Sequence, residues 1–366
     1  MSVILAVDVM GGDHGIMVTI PACIKFLQDK PDAKILLVGD ESKIKEALSA
    51  LIKKNKSYTS LINNQTEIVH TTQVVEMDEM PQNAMRNKKD SSMRVALNLI
   101  KQKKAKAVVS AGNTGALMAI ARYVLRTMEG IDRPAIAKLL PTIRGEVCVL
   151  DLGANVECQP HHLLQFAIMG SQLVKAVLNL DSPTVGLLNI GSEEIKGNDV
   201  IKKAAELLKI SNLNFYGNVE GDDINKGTVD VVVCDGFTGN VALKTVEGVA
   251  KMISFFIKKE FTSSLLAKIL GLISYPVIKK VKQKFDPRKY NGAILLGLNG
   301  LVIKSHGGAD EVGFYYALLQ AYHEVKADVV SLIENYLISI KDLDKDIITD
   351  PTKATAMLEF SDLNML

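Results

Sequence analysis

Short apolar runs alternate along the chain with longer stretches whose apolar residues recur every three or four positions. VILAV (Val3–Val7), ILLV (Ile35–Val38), AVVS (Ala107–Ser110), VCVLD (Val147–Asp151), TVGLLNI (Thr184–Ile190) and VDVVVCD (Val229–Asp235) predict buried strands. SSMRVALNLIKQKK (Ser91–Lys104) and NDVIKKAAELLKI (Asn198–Ile210) predict amphipathic helices between them. This alternation predicts an α/β fold, three layers α/β/α around a mostly parallel sheet. No solenoid repeat or low-complexity linker divides the chain. Residues 1–340 are therefore expected to form a single catalytic domain, followed by a C-terminal tail at 341–366.

Five of the predicted strands run into glycine accompanied by small polar residues. The first meets Gly11 and Gly12, the third meets Asn113, Thr114 and Gly115, and the fourth meets Asp151, Gly153 and Asn155. The fifth meets Asn189 and Gly191, and the sixth meets Asp235, Gly236, Thr238, Gly239 and Asn240. Strand–helix turns favour glycine in any case. Five such ends, however, predict one sheet edge lined by backbone N–H groups, amides and helix N-termini, which is an anion-binding surface. Gly236 and Gly239 are read as letting the backbone approach a bound phosphate. Lys196, in the loop after Gly191, would add a cation to the same edge.

Composition narrows the chemistry. With 48% hydrophobic and 23% charged residues in 366, the chain is globular rather than disordered. A net charge of +2 gives the whole molecule no polyanion-binding character, and no nucleic-acid partner is expected. Four cysteines without a C-x-x-C pair suit reduced thiols in the cytoplasm. The first residues lack a basic leader region, and no stretch has the roughly 18 apolar residues of a spanning helix. P-loop, dinucleotide and serine-elbow signatures are all absent. Cys158, His161 and His162 stand close together, but a helix-start role is preferred to metal binding; Cys234 is read as a core residue rather than an acyl-accepting nucleophile.

Several segments together carry a resemblance: AVDVMGGDHG, NAMRNKKDSSMRVAL, VVSAGNTGALMA, DLGANVECQP, LLNIGSEEIKGND, GNVEGDDI, VVVCDGFTGNVALKTVEG and LLGLNGLVIKSHGGAD. In this order they resemble the bacterial phosphate acyltransferase (PlsX) family over nearly the whole chain. Val9 and Ile16 stand where that family usually has alanine and proline. The resemblance implies transfer of a fatty acyl group from acyl carrier protein to inorganic phosphate, giving acyl-phosphate for phospholipid synthesis. It implies a fold similar to phosphotransacetylases and isocitrate-type dehydrogenases, no metal and no organic cofactor, and a homodimer. It also implies a cytoplasmic enzyme peripherally associated with an anionic membrane surface, passing product to a glycerol-3-phosphate acyltransferase of the PlsY type. Lys196 and Asn240 match the family's active-site lysine and asparagine, and His306 falls in a further matching segment.

Such chemistry needs no triad. A thioester is already activated, its thiolate leaves readily at a thiol pKa near ~8.5, and phosphate is itself a nucleophile. The enzyme must hold phosphate beside the carbonyl and exclude water. One further segment stands out. Residues 251–289 carry ten basic and two acidic residues, a local charge of +8, with apolar positions at helical spacing. Lys268, Lys279, Lys280, Lys282 and Lys284 are candidates for contact with the acidic carrier protein or anionic lipid. Ordinary helices with a solvated basic face, or a dimer contact, remain open for this segment. Three other functions are weighed: a phosphotransacetylase using a short acyl-coenzyme A, a metal- and NAD(P)-dependent decarboxylating dehydrogenase, and a non-catalytic membrane scaffold.

Overall fold

The computed structural model describes residues 2–284 and 286–340, and only the backbone of residues 282–284. The expected tail at 341–366 and the side chains of Lys282 and Lys284 therefore lie outside the described residues. The described residues build an eleven-stranded sheet. Its strands are β1 (Val3–Asp8), β2 (Ala33–Gly39), β3 (Thr66–His70), β4 (Ala107–Ser110), β5 (Ala135–Pro141) and β6 (Glu146–Leu150). The remainder are β7 (Thr184–Leu188), β8 (Asn214–Val219), β9 (Val231–Val233), β10 (Gly292–Leu296) and β11 (Leu301–Ser305). Their spatial order is β3-β2-β1-β4-β11-β10-β5-β6-β9-β7-β8.

All six strands predicted from apolar runs are present. Their central residues, such as Leu5, Leu37, Val109, Val149 and Val232, are almost completely buried because helices cover both faces. One face packs on Phe26, Phe166 and Phe314 from the helices Ile16–Asp29, Pro160–Leu178 and Glu311–Lys326. The other packs on the helices Ser92–Lys101 and Thr114–Leu125 through residues such as Leu97, Leu117 and Ile120. The segment Leu295–Gly308 holds the end of β10, the turn at 297–300 and β11, and the two strands pair as an antiparallel hairpin.

Seven of the ten strand pairings are parallel. The three antiparallel ones adjoin β10 and β5 in the middle of the sheet. They reverse its direction: β1, β4 and β11 end on one edge, while β6, β9 and β7 end on the opposite edge. This corrects the expectation of a single edge shared by all five polar strand ends.

Beyond the sheet, the helices Gly236–Thr262 and Leu265–Lys284 form a hairpin. Gly271 sits against Phe261 where the two helices meet. Phe255, Phe256, Leu265, Leu272, Ile273 and Val277 are all more than half exposed. No helix among the described residues is long and apolar enough to cross a membrane.

Candidate functional site

The edge where β6, β9 and β7 end is organised by Asp151. Its buried carboxylate accepts five N–H donors: the amides of Ile136, Gly153, Ala154 and Asn155, and the Asn155 side chain, at 2.6–3.2 Å. These bonds coil residues 151–155 tightly over the strand end. The Asn155 Nδ2 also donates to the Pro134 carbonyl, and its own carbonyl accepts from Gly236 N at 2.7 Å. The loop and the start of the helix Gly236–Thr262 thus form one packed unit.

That packing gives a different reason for the two glycines. A Cβ at Gly236 would lie 2.8 Å from the Asn155 backbone and 2.9 Å from Asp151 Oδ2. A Cβ at Gly239 would overlap the Asp151 carbonyl oxygen and lie 2.8 Å from Cys234 Sγ. Close approach of protein to protein, rather than to a ligand, requires glycine here. Asp235 caps the helix, accepting from Thr238 N (2.8 Å) and Thr238 Oγ1 (2.7 Å). Cys234 is buried, and burial pushes its thiol well above the usual range, so it is a core residue.

Asn240 and Lys196 reach this same edge. Asn240 is exposed and lies over Gly153, its Cγ 3.7 Å from where a Cβ would stand; its amide has no side-chain hydrogen bond among the described residues. Lys196 folds across buried Gly191, and its ammonium is paired with Glu193 Oε2 at 2.7 Å. The hydrogen bond from Lys196 holds the Glu193 carboxyl below its ordinary value. Lys196 therefore brings a charge that is already partnered.

Gly11, Gly12, Asn113, Thr114, Gly115 and His306 lie on the other edge. There the buried Asp8 carboxylate accepts from Ser110 Oγ (2.7 Å) and from the amides of Gly11 and Met10. Burial pushes its pKa up, and these bonds pull it back. Gly12, at φ 94°, packs against Ala111 and the Gly307 carbonyl. Asn113 is fully occupied: Oδ1 caps its helix through Ala116 N, and Nδ2 donates to the carbonyls of Glu76, Met77 and Glu79. Thr114 is exposed, and Gly115 admits Pro81 at its Cα. His306 Nδ1 accepts from Gly308 N at 3.1 Å, leaving Nε2–H as the outward donor of the neutral ring.

Sequence reasoning passed over the charged residues between the two edges. Lys304, on β11, is only 8% exposed; its ammonium donates to the carbonyls of Ala111 (3.3 Å) and Ser305. Burial pushes its pKa down to about 8, against the pull of Asp13 and Asp8. Strand register aligns Asp8 with Ser110 and Ser110 with Lys304, and Lys304 with Ala293. The β10–β5 ladder, followed one residue beyond Ile294–Ala137, then places Lys138 next to Ala293. The available signal was a lysine inside each of two apolar runs, IAKLL and LVIKS. Burial lowers the pKa of His306, and the nearby cations Lys244, Lys304 and Lys138 lower it further, opposed by Glu247. Lys244 pairs with Glu247 at 2.9 Å.

Among the described residues, one group could gather metal-ligand atoms: Asp132, His161 and His162. His162 Nδ1 accepts from Gln159 N at 3.0 Å, which puts the proton of the neutral ring on Nε2, the atom facing Asp132. Burial pushes His162 down to about 4, so the ring is neutral near pH 7. Its Nε2 then has no lone pair for a metal. His161 Nε2 lies 3.1 Å from Asp132 Oδ2, and the Asp132 backbone is tied to Gln165. The group fits a hydrogen-bonded helix start better than a metal centre.

Comparison with known proteins adds sequence evidence to this geometry. The model of a family described as fatty acid synthesis protein matches residues 3–332. A phosphate acyltransferase of Chromobacterium violaceum is 59% identical over 333 residues, covering 91% of this chain and 94% of that one. One from Legionella pneumophila strain Paris is 54% identical over 337 residues, covering 92% and 96%. In structure the chain is similar to a EutD phosphotransacetylase from Staphylococcus aureus, with a TM-score of 0.57 at 16% identity, covering 90% of this chain and 94% of that one. A phosphotransacetylase from Streptococcus pyogenes gives a TM-score of 0.58 at 16% identity, covering 89% and 94%. These structural likenesses concern the fold alone.

Proposed function

The chain belongs to the phosphate acyltransferase family and is an acyltransferase, and from that premise we propose that it moves a long-chain acyl group from acyl carrier protein to inorganic phosphate. The observation that carries this reading is identity of 54–59% with phosphate acyltransferases over nine-tenths of the chain. The reaction is a direct displacement. A phosphate oxygen attacks the thioester carbonyl, the C–O bond forms, the C–S bond breaks, and the carrier leaves as thiolate. The developing oxyanion and the phosphate repel each other, so donors must be in place before the reaction begins. Asn240 supports this reading because its amide is exposed and uncommitted. Lys196 can serve if phosphate takes the place of Glu193 at its ammonium.

The helical hairpin supports a role in carrier or membrane contact. It combines exposed apolar side chains with the strongly basic stretch 251–289. A homodimer, peripheral attachment to anionic lipid, and delivery to a membrane glycerol-3-phosphate acyltransferase belong to the same reading. The test is to incubate the chain with phosphate and either long-chain acyl carrier protein or acyl-coenzyme A, and trap acyl-phosphate with hydroxylamine. Hydroxamate from the carrier donor is expected. Product from short acyl-coenzyme A alone would favour phosphotransacetylase activity, and no product from any donor would overturn the reading.

A further inference from the structure

The central strands of a sheet covered on both faces are normally shut off from water. Here Ala293 on β10 and Lys138 on β5 are partly exposed, although these strands lie in the middle of the sheet. The helix layer therefore leaves an opening over them. Register puts Lys304 on one side of Ala293 and Lys138 on the other, two strands or roughly 10 Å apart at the backbone. Neither lysine forms an ion pair among the described residues, whereas Lys244 is matched by Glu247. Ala293 itself presents only a methyl group to the opening.

We propose that this opening, floored by Ala293 and bracketed by Lys138, Lys304 and the Nε2–H of His306, binds a phosphoryl anion. Asp13 and Asp8 act on Lys304, and Glu247 on Lys138, without closing to an ion pair, and cations partly withdrawn from water without a direct counter-ion are costly unless an anion joins them. The imidazole adds a neutral donor, and Lys304 is fixed by two carbonyls so that its remaining proton has a set direction. The depressed pKa values of Lys138 and Lys304, both caused first by burial, fit cations awaiting such a partner. The helix Gly236–Thr262 links this position to Asn240, because Lys244 and Glu247, one and two turns beyond Asn240, lie near Lys138 and His306; Lys196 stands apart, in the loop after β7. The inference rests on the proposed acyl transfer for the identity of its ligand. That reaction involves two phosphoryl groups, the free phosphate and the phosphodiester of the carrier's arm, and either could occupy the opening.

Lys138→Gln is the variant of choice, because Lys138 has no hydrogen bond to lose among the described residues, while Lys304 holds two carbonyls. Its melting temperature without ligand should equal or exceed that of the unaltered protein, since the uncompensated charge is removed. Melting is then followed with inorganic phosphate and, separately, with phosphopantetheine, at constant ionic strength; KM is measured for phosphate and for acyl carrier protein. A tenfold rise in the phosphate KM with an unchanged carrier KM, and loss of the stabilisation by phosphate, is expected if free phosphate is the ligand. A tenfold rise in the carrier KM, with loss of stabilisation by phosphopantetheine, would assign the opening to the arm. Lys138→Arg should retain most of either effect. If both KM values stay within twofold and ligand stabilisation is unchanged or absent in both proteins, the inference is overturned. Should the unaltered protein make no acyl-phosphate, acyl transfer fails as a reading, and the melting experiment alone decides whether the opening binds the anion.

Discussion

Replacing Gly239 by alanine adds one methyl group at the junction of two strand ends. That methyl would overlap the Asp151 carbonyl oxygen and press on Cys234 Sγ at 2.8 Å. Neither neighbour can swing aside as the tip of a long side chain could. The carbonyl belongs to the residue whose carboxylate gathers five N–H groups, and the helix start is tied to the same loop through Gly236 and Asn155. Overpacking costs about 1–3 kcal/mol, and weakening one or two of the Asp151 hydrogen bonds adds about 1 kcal/mol each. Alanine in place of glycine within a helix returns about 1 kcal/mol. The net destabilisation is roughly 1–4 kcal/mol. With an unfolding entropy near 2.1 cal/mol/K per residue, a chain of 366 residues loses one degree of melting temperature for about 0.8 kcal/mol. The melt should therefore fall by about 1–5 °C. Gly248→Ala is the control: the position is exposed on the same helix and nothing lies within 4 Å of the added methyl, so the melt should rise by about 1 °C. Scanning calorimetry reads both, alongside the KM for phosphate. A Gly239→Ala protein that melts within 1 °C of the unaltered chain, with a raised phosphate KM, would show that this glycine serves a ligand and not the packing.

Three further outcomes are expected. Asn240→Ala and Lys196→Ala should each lower kcat about a hundredfold, the effect of losing one donor worth roughly 3 kcal/mol in the transition state; near-normal turnover in both purified variants would remove them from the site. Lys268→Glu, Lys279→Glu and Lys280→Glu together should weaken sedimentation with anionic phosphatidylglycerol vesicles at least a hundredfold, since each basic residue near such a surface contributes about 1 kcal/mol; unchanged sedimentation at low salt would leave the hairpin a role without lipid. Glu324 is buried with Oε2 unpartnered, and burial pushes its pKa up to about 8 from an ordinary value of 4.5. The fold therefore binds this proton more tightly than the unfolded chain, and the resulting stabilisation is present below pH 4.5 and lost as pH rises toward 8. Glu324→Gln should remove that part of the decline, so that denaturant midpoints of variant and parent diverge between pH 5 and pH 8.5; parallel curves would refute the burial argument.

The six strands read from apolar runs were legible because burial on both faces demands continuous apolar sequence. The strands passed over had weaker signals. TEIVH and NFYGNV form β3 and β8 at the two margins of the sheet, where partial exposure permits polar residues. Strand direction was harder still, because a strand's own composition does not reveal which way it runs. The connections do. Between β5 and β6 lie only Thr142 to Gly145, closed by Thr142 N to the Gly145 carbonyl at 2.8 Å, and between β10 and β11 lie only Gly297 to Gly300. Links so short cannot carry a crossover and must join antiparallel neighbours. Reading those two turns first would have divided the glycine-rich ends between two edges.

The same turns explain why the lysines were missed. A single lysine in an apolar run ordinarily reads as a charge reaching water from the surface of a sheet. Lys138 and Lys304 are separated by 165 intervening residues, and neither has a local partner that marks it as special. They become neighbours across one alanine only when β10 is folded back between β5 and β11. Once that register is known, the row Asp8, Ser110, Lys304, Ala293 and Lys138 crosses five strands on one face, with its acid already hydrogen-bonded at one end and its cations toward the opening at the other. The asymmetry matters for chemistry. An anion entering over Ala293 has no ion pair to break at Lys138 or Lys304 among the described residues, because Asp8 is hydrogen-bonded to Ser110 and two backbone amides and, like Asp13, acts on Lys304 without pairing with it. At the other edge Glu193 already occupies the Lys196 ammonium, so an anion there must compete for its place. Where free phosphate is the ligand of the opening, it should consequently be drawn first to the centre of the sheet and then to Lys196. Raising phosphate concentration while following the two positions by lysine-selective nitrogen resonances orders the events: perturbation of Lys196 before Lys138 would contradict this sequence.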